Sequence, residues 1–381
     1  MKIIMYDCGY GDCFQIKEKN QNDLYVDFGI HKSLMKESVR ENRFSDIIGE
    51  MNENHDADFL LTHYHEDHYN GAIYMAQNSN YRFSNVYIPD VWDVGGAAYI
   101  TTLLLLRDVL SKYTLRHNLT IIDFLESICT GYGKIHFISR GTFFHDNQYI
   151  ALWPKKDIVQ KKAEKIYNEI DNKFIDRELL SQINSVAVEL NTIVVKYASA
   201  DYDRSDVIFE LKSLKIRLAS LLSEFRSLYV KKEEKKSVAC KLSAFSNEIS
   251  IVFQDNNNAK KVLFTGDFGK KRNWSFIKNN TDNCVKIHTL YDVIKVPHHG
   301  TNSYYIDFTD IIGDESTLLI PNGVINNRKG WNRANEYVID SKKVKNTTVC
   351  ASNAMCKAGG CPKCKIISPK NVLKYSVLCF F

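Results

Sequence analysis

The chain opens as a series of short apolar runs, each cut off by Asp or Gly. "KIIMYD", "DLYVDFG", "DADFLLTH" and "SNVYIPD" repeat the pattern through the first third. Runs of this length, bounded by turn residues, predict buried strands. Helical stretches are predicted from Ala97 to Tyr113 and from Leu119 to Ile128, followed by strand-like "KIHFISR" and "YIALWP". The pattern then changes. From Lys155 to Lys236 there is no Gly, and between Pro154 and Pro297 there is no Pro. Val207, Leu211, Leu214, Leu218, Leu221, Phe225 and Leu228 step alternately by four and three, which makes a heptad seam. Ile183, Val186, Leu190, Ile193 and Tyr197 step the same way, and "ASADYDRSD" between the two sets makes a turn. An antiparallel helical hairpin is predicted over 155–240. Its seam either packs internally or serves a homodimer or protein partner. Strand character returns with "EISIVFQ", "KKVLFTGD" and "YDVIKVPHHG". The hairpin therefore interrupts one sheet domain, with a first part at 1–154 and a second at 241–345. A Cys-rich tail, 346–381, closes the chain.

The apolar run "DFLLTHYHEDH" ends in His63, His65, Asp67 and His68. Two histidines two apart point the same way on an extended backbone. Asp67 and His68 follow where the chain turns into "YNGAIYMA", a predicted helix start. Imidazole and carboxylate together suit Zn, Mn or Fe. Two later strands end the same way: "VLFTGDFG" places Asp267 beside Gly266, and "VIKVPHHGT" places His298 and His299 before Gly300. Strand ends at one edge of a sheet can converge on one site.

Composition adds limits. The chain has 381 residues, 44% of them apolar and 25% charged, which allows one large domain with additions or two domains. A net charge of +5 permits an anionic partner without demanding one. "MKIIMYDCGYGDCFQI" lacks the long apolar stretch of an export signal, and "YITTLLLLRDVL" is too short to span a bilayer. A cytoplasmic protein without a membrane partner is expected, its ten cysteines being thiols or metal ligands. Cys350, Cys356, Cys361 and Cys364 lie within fifteen positions, so four thiolates could close a structural zinc site. Cys8 and Cys13 read as small buried residues, and Asp12 as a turn cap. "NNRKGWNRANEY" mixes basic and aromatic residues after the last core strand, either as a plain surface loop or as a stacking surface for nucleic acid.

The ligand-bearing stretches together resemble the metallo-β-lactamase fold superfamily, whose signature is T-H-x-H-x-D-H, then Gly-Asp, then a late His. They are most similar to its ComEC-type, DNA-uptake hydrolase branch. "DCGYGD" (Asp7 to Asp12), "VDFG" (Asp27, Gly29), "NEIS" (Asn247, Ser250) and "HHGT" match that branch's motifs over residues 1–154 and 241–345. The resemblance implies an α/β fold, a four-layer αββα metallo-β-lactamase sandwich, here with the helical hairpin inserted. It implies two divalent metal ions, Zn or Mn. One would take His63 and His65; the other would take Asp67, His68 and His298; Asp267 would bridge them. Asp27 would sit behind a ligand histidine and orient it. His299 would contact substrate or protonate the leaving group, and Asp67 and Asp267 would position the nucleophile. Many members carry a further His on the first metal; here Asn247 falls roughly at that place. Two cations would lower the pKa of a bound water from about 15.7 toward roughly 7 and so supply hydroxide. The implied function is a metal-dependent phosphodiesterase or nuclease. The alternatives are a small-molecule phosphoesterase, an amide or thioester hydrolase, or a partner-binding subunit docking through the hairpin.

Overall fold

Period-two burial sorts the strands into two sheets whose apolar faces meet. The computed structural model describes residues 1–321 apart from 7, 9–10, 19–20, 32–36, 52–55, 94–97, 115–118, 174–176, 200–202, 228–231 and 257–260; beyond 321 it describes Tyr337 and the backbone of three strands. The side chains of 111–114, 173, 222–227, 232–235, 302 and the three late strands also lie outside the description.

The N-terminal sheet contains β1 (Lys2–Met5), β2 (Cys13–Lys17), β3 (Asp23–Phe28), β4 (Ala57–Leu60), β5 (Asn85–Pro89) and β6 (Lys134–Ile138) in that order. The second sheet contains β7 (Phe143–Phe144), β8 (Tyr149–Trp153), β9 (Val252–Asp255), β10 (Val262–Phe264), β11 (Tyr291–Lys295), β12 (Ile312–Ile320) and β13 (Thr348–Ala351), again in order. Two short strands, β14 (Cys364–Lys365) and β15 (Val377–Phe380), extend the first sheet beyond β1. Pairing is parallel from β3 to β6 and from β10 to β13.

Alternation decides what each face meets. Ile3, Met5, Phe14, Ile16, Leu24 and Val26 share one buried cluster with Phe253, Val262, Phe264 and Val293 of the second sheet. Phe14 meets Phe264 edge-on, with ring centroids 5.4 Å apart. The residues between them, such as Ile4 and Tyr25, face the opposite way and belong to a second cluster rich in helical side chains. That cluster takes in α1 (Glu37–Glu50), α2 (Glu66–Asn78), α3 (Tyr99–Thr114) and α4 (Ile121–Gly131). Fully burying one such side chain contributes about 1.5–3 kcal/mol, so the two faces of each strand fix its register.

Between β8 and β9 lie four helices rather than two: α5 (Lys156–Lys173), α6 (Arg177–Ala198), α7 (Arg204–Ser227) and α8 (Lys232–Glu248). The two heptad sets are α6 and α7, which pack on each other. Their seams face inward: Ile183, Val186, Leu190, Val207, Leu211, Leu214 and Leu218 are all buried. The side chains of Phe225 and Leu228 lie outside the described residues. The inserted helices also pack on the helices outside the insert, α3 against α5, α6 and α8, and α4 against α7. α8 also runs on to Glu248, past the expected boundary. Leu190→Ala is expected to lower stability by about 2–5 kcal/mol through the cavity it leaves, read as a fall in urea midpoint. Among the described residues no helix is long and apolar enough to cross a membrane. A ninth helix, α9 (Lys271–Lys278), follows β10.

The parallel strands β3, β4, β10 and β11 run the same way within their sheets, and their C-terminal ends carry Asp27, His63, Asp267 and Lys295. Ligand sites in such sheets form outside the carboxyl ends of the strands.

Candidate metal centre

The site begins with close backbone approaches that only glycine permits. A Cβ on Gly29 would lie 2.3 Å from the Asp67 carbonyl carbon, so the chain after β3 lies directly against the first turn of α2. Gly266 has φ +51, and a Cβ there would lie 2.9 Å from Thr62 Cβ. These contacts bring three chain segments within reach of one point. His65 is the residue before α2, so Asp67 and His68 belong to its first turn, where a carboxylate is favoured by the helix dipole.

Asp27 sits at φ 57, a conformation costing a non-glycine residue about 1–3 kcal/mol. Its carboxylate is buried and fully used. Oδ1 accepts from Thr62 N at 2.7 Å, and Oδ2 accepts from Thr62 Oγ1 at 2.7 Å and from His68 Nδ1 at 2.8 Å. His68 is thereby held with Nε2 turned inward, buried and without a hydrogen-bond partner. The Thr62 hydroxyl, having donated to Asp27, accepts from His63 Nδ1 at 3.1 Å. His65 Nε2 meets Ser243 Oγ of α8 at 3.3 Å. His63 Nε2 and His65 Nδ1 face each other 3.0 Å apart, a hydrogen bond when His65 carries its hydrogen on Nδ1 and a pair of lone pairs when it carries it on Nε2. Burial, then the charge of His68, holds His63 well below the ordinary imidazole pKa; burial, then Arg107, does the same to His65. In the second tautomer both lone pairs are offered to one cation, and the unpartnered Nε2 of His68 lies beside them. These residues therefore fit a metal ion.

A second grouping lies beside the first. His299 Nδ1 donates to Asp12 Oδ1 at 2.8 Å, and its Nε2 lies 3.8 Å from Asp67 Oδ2 and 3.7 Å from Asp267 Oδ2. Its ring stacks beside His68 at 5.5 Å. Asp267 is the common point: its Oδ2 lies 3.8 Å from His63 Nε2, 3.4 Å from His68 Nε2 and 3.8 Å from His298 Nε2. Among the described residues, sets of ligand atoms close enough to share one ion are His63, His68 and Asp267; Asp67, His68 and His299; Asp12, Asp267 and His299; and Asp12, Asp27 and His68; His65 is in none of them. His298 is in no such set among the described residues. It is 22% exposed, with Nδ1 2.7 Å from Thr301 Oγ1 and its ring stacked on Tyr304 at 4.0 Å. The adjacent histidines thus differ in burial: His299 is buried and meets Asp12, Asp67 and Asp267, whereas His298 is partly exposed and approaches Asp267 alone.

Asn247 is buried near the Tyr304 hydroxyl, with its Oδ1 without a hydrogen-bond partner. The side chains of Cys350, Cys356, Cys361 and Cys364 lie outside the described residues. Of "NNRKGWNRANEY" only Tyr337 is described; it is buried, and its hydroxyl accepts from Ile306 N at 3.2 Å. Asp12 does more than cap a turn, since it carries His299 and also pairs with Lys295. Sequence reasoning passed over Lys295, Thr62 and Arg107, and named Ser250 only as part of a motif. Ser250 Oγ accepts from Asp267 N at 3.2 Å, and buried Arg107 donates to Ser246 Oγ at 2.7 Å beside His65. One signal was legible: a lysine inside the otherwise apolar "VIKV".

Charge balance gives a pH test. Burial opposes ionisation of Asp267, but His299 and His68 outweigh it and hold the carboxyl well below its usual range. Burial likewise opposes charge on His299, yet Asp267 and Asp12 raise it to about 9; His68 is raised by Asp267 and Asp27. Without a cation, protons on these imidazoles balance the carboxylates. Metal must displace them, so metal affinity is expected to rise with pH up to about 9, and the rise should approach tenfold per pH unit per proton, about the proton count released. Calorimetry in buffers of different ionisation enthalpy measures that release; an affinity flat across neutral pH would refute it. By the same sign, the raised His299 stabilises the metal-free fold below its ordinary pKa and ceases to do so as pH rises through about 9.

No family model matches the chain, and no curated protein matches it. Among solved structures it is similar to the metallo-β-lactamase fold protein YhfI from Bacillus subtilis, at 11% sequence identity and a TM-score of 0.37, over 92% of this chain and 96% of that one. Functional inference therefore rests on the residues of the site.

Proposed function

We propose that the protein is a metal-dependent hydrolase of phosphodiesters, acting on nucleic acid, on a four-layer αββα sandwich of the metallo-β-lactamase type. The convergence of four imidazole Nε2 atoms within 3.4–3.8 Å of one carboxylate oxygen, Asp267 Oδ2, carries this reading. One divalent ion would be held by His63, His65 and Asp267, and a second by Asp67, His68, His299 and Asp267. When bound, such ions supply a nucleophile at neutral pH and offset the negative charge of a phosphoryl transition state.

The chain's own groups supply the rest. Asp27 and Asp12 fix the tautomers of His68 and His299, so the inward nitrogens are always the same ones. Burial holds His298 down to about 4, so it is neutral at pH 7. With Nδ1 accepting from the Thr301 hydroxyl, its Nε2 carries the hydrogen on a partly exposed ring, 3.8 Å from Asp267 Oδ2. There it can donate a hydrogen bond to a departing oxygen, the role first expected of His299.

Metal-loaded protein, with Zn and Mn compared, should cleave single-stranded DNA, RNA or a chromogenic phosphodiester in preference to thioester and amide substrates. Turnover of a thioester or amide alone would replace the phosphodiester assignment. A second role, protein docking by the helical layer, is favoured by Phe209 and Ile216, which are 75% and 72% exposed on α7. A monomer by light scattering, unchanged by Phe209→Ser, would remove self-association from that role.

A further inference from the structure

We propose that Lys295 is a positioning residue that sets the orientation of two carboxylates at once and, through Asp12, makes His299 the metal ligand. The proposal rests on the metal-centre reading above. Lys295 is the last residue of β11 and is 1% exposed. Burying an ammonium is costly unless acceptors surround it. Its Nζ donates to the Gly266 carbonyl at 2.7 Å, pairs with Asp12 Oδ2 and lies 3.7 Å from Asp267 Oδ1.

The two carboxylates are used alike. Asp12 turns Oδ2 to Lys295 and Oδ1 to His299 Nδ1. Asp267 turns Oδ1 to Lys295 and Oδ2 to the four imidazoles. A single ammonium thus fixes the plane of the carboxylate that would bridge the metals and of the carboxylate behind one ligand. It also ties strand ends together: the Lys295 carbonyl accepts from Thr265 Oγ1 at 2.7 Å, and the Gly266 carbonyl accepts from His298 N at 3.3 Å. A lysine needed only to fill space would be replaceable by Met. A positioning lysine is not.

Lys295→Met keeps the length and removes the charge; Lys295→Arg keeps the charge. Each protein is checked for folding by circular dichroism and titrated with Co(II). Lys295→Met is expected to bind cobalt about 10–100-fold more weakly, the effect typical of losing a group behind a ligand. Its visible ligand-field bands should shift, and Lys295→Arg should recover part of the affinity. Asp12→Asn is expected to shift the bands in the same way, with no further change in the double variant. A folded Lys295→Met protein with wild-type affinity and spectrum overturns the proposal. If that variant does not fold, an Asp12→Asn protein with the wild-type spectrum overturns it instead. Wild-type protein that binds no cobalt at all would remove the metal centre itself, a result distinct from either.

Discussion

The Asp267→Ala protein is expected to lose hydrolytic activity by about 10³-fold or more while remaining folded. No other side chain of the site is met by so many partners: four imidazoles and one ammonium approach its two oxygens. Removing it takes a ligand from both proposed ions and leaves Lys295 with one carboxylate fewer. The backbone should tolerate the change, since Asp267 N still has Ser250 Oγ as acceptor. Metal content and activity are measured on the same sample, with the thermal midpoint as a check on folding. A pure, folded variant with full activity would dismiss the centre as catalytic.

Second in expected size is a contrast between neighbours. His299→Ala should empty one metal position, weakening affinity there by about 100-fold or more, because even groups behind a ligand cost 10–100-fold. His298→Ala should keep its metal and lose about 10²-fold in kcat, the usual scale for a proton-transfer group. Metal titration followed by turnover on a chromogenic phosphodiester separates the two. The reverse pattern would restore the assignment expected from sequence, with His298 as ligand. The expectation rests on burial: His299 is 1% exposed with both nitrogens near carboxylates, whereas His298 is partly exposed, stacks on Tyr304 and approaches Asp267 alone.

The strand ends carrying Asp27, His63 and Asp267 were legible because each is a short apolar run stopped by a polar residue beside Gly. Which of two adjacent histidines turns inward was not legible. His298 and His299 both adopt positive φ, at 47 and 54, so neither strand alternation nor helical period governs their directions. Lys295 was hidden for a related reason. A lysine at a strand end ordinarily reaches solvent, and only the carboxylates of Asp12 and Asp267, from segments distant in sequence, make burial tolerable. In the insert, the uninterrupted seams exposed α6 and α7. The apolar positions of α5 (Val159, Ala163, Ile166 and Ile170) have the same spacing but are diluted by lysines and acids, and so were missed.

The four helices of the insert leave β8 and return to β9, where Trp153 pairs directly with Val252 in an antiparallel ladder. In polymer terms the insert is a loop whose ends are already pinned. Closing such a loop costs about (3/2)RT ln n, so doubling its length adds only about 0.6 kcal/mol. The closure term therefore sets little limit on the length of this excursion, and what limits it is the packing of its helices on α3 and α4. The constraint lies at its final turn, where Ser243 and Ser246 of α8 reach His65 and Arg107. Any change of length must bring those last residues back to the same place.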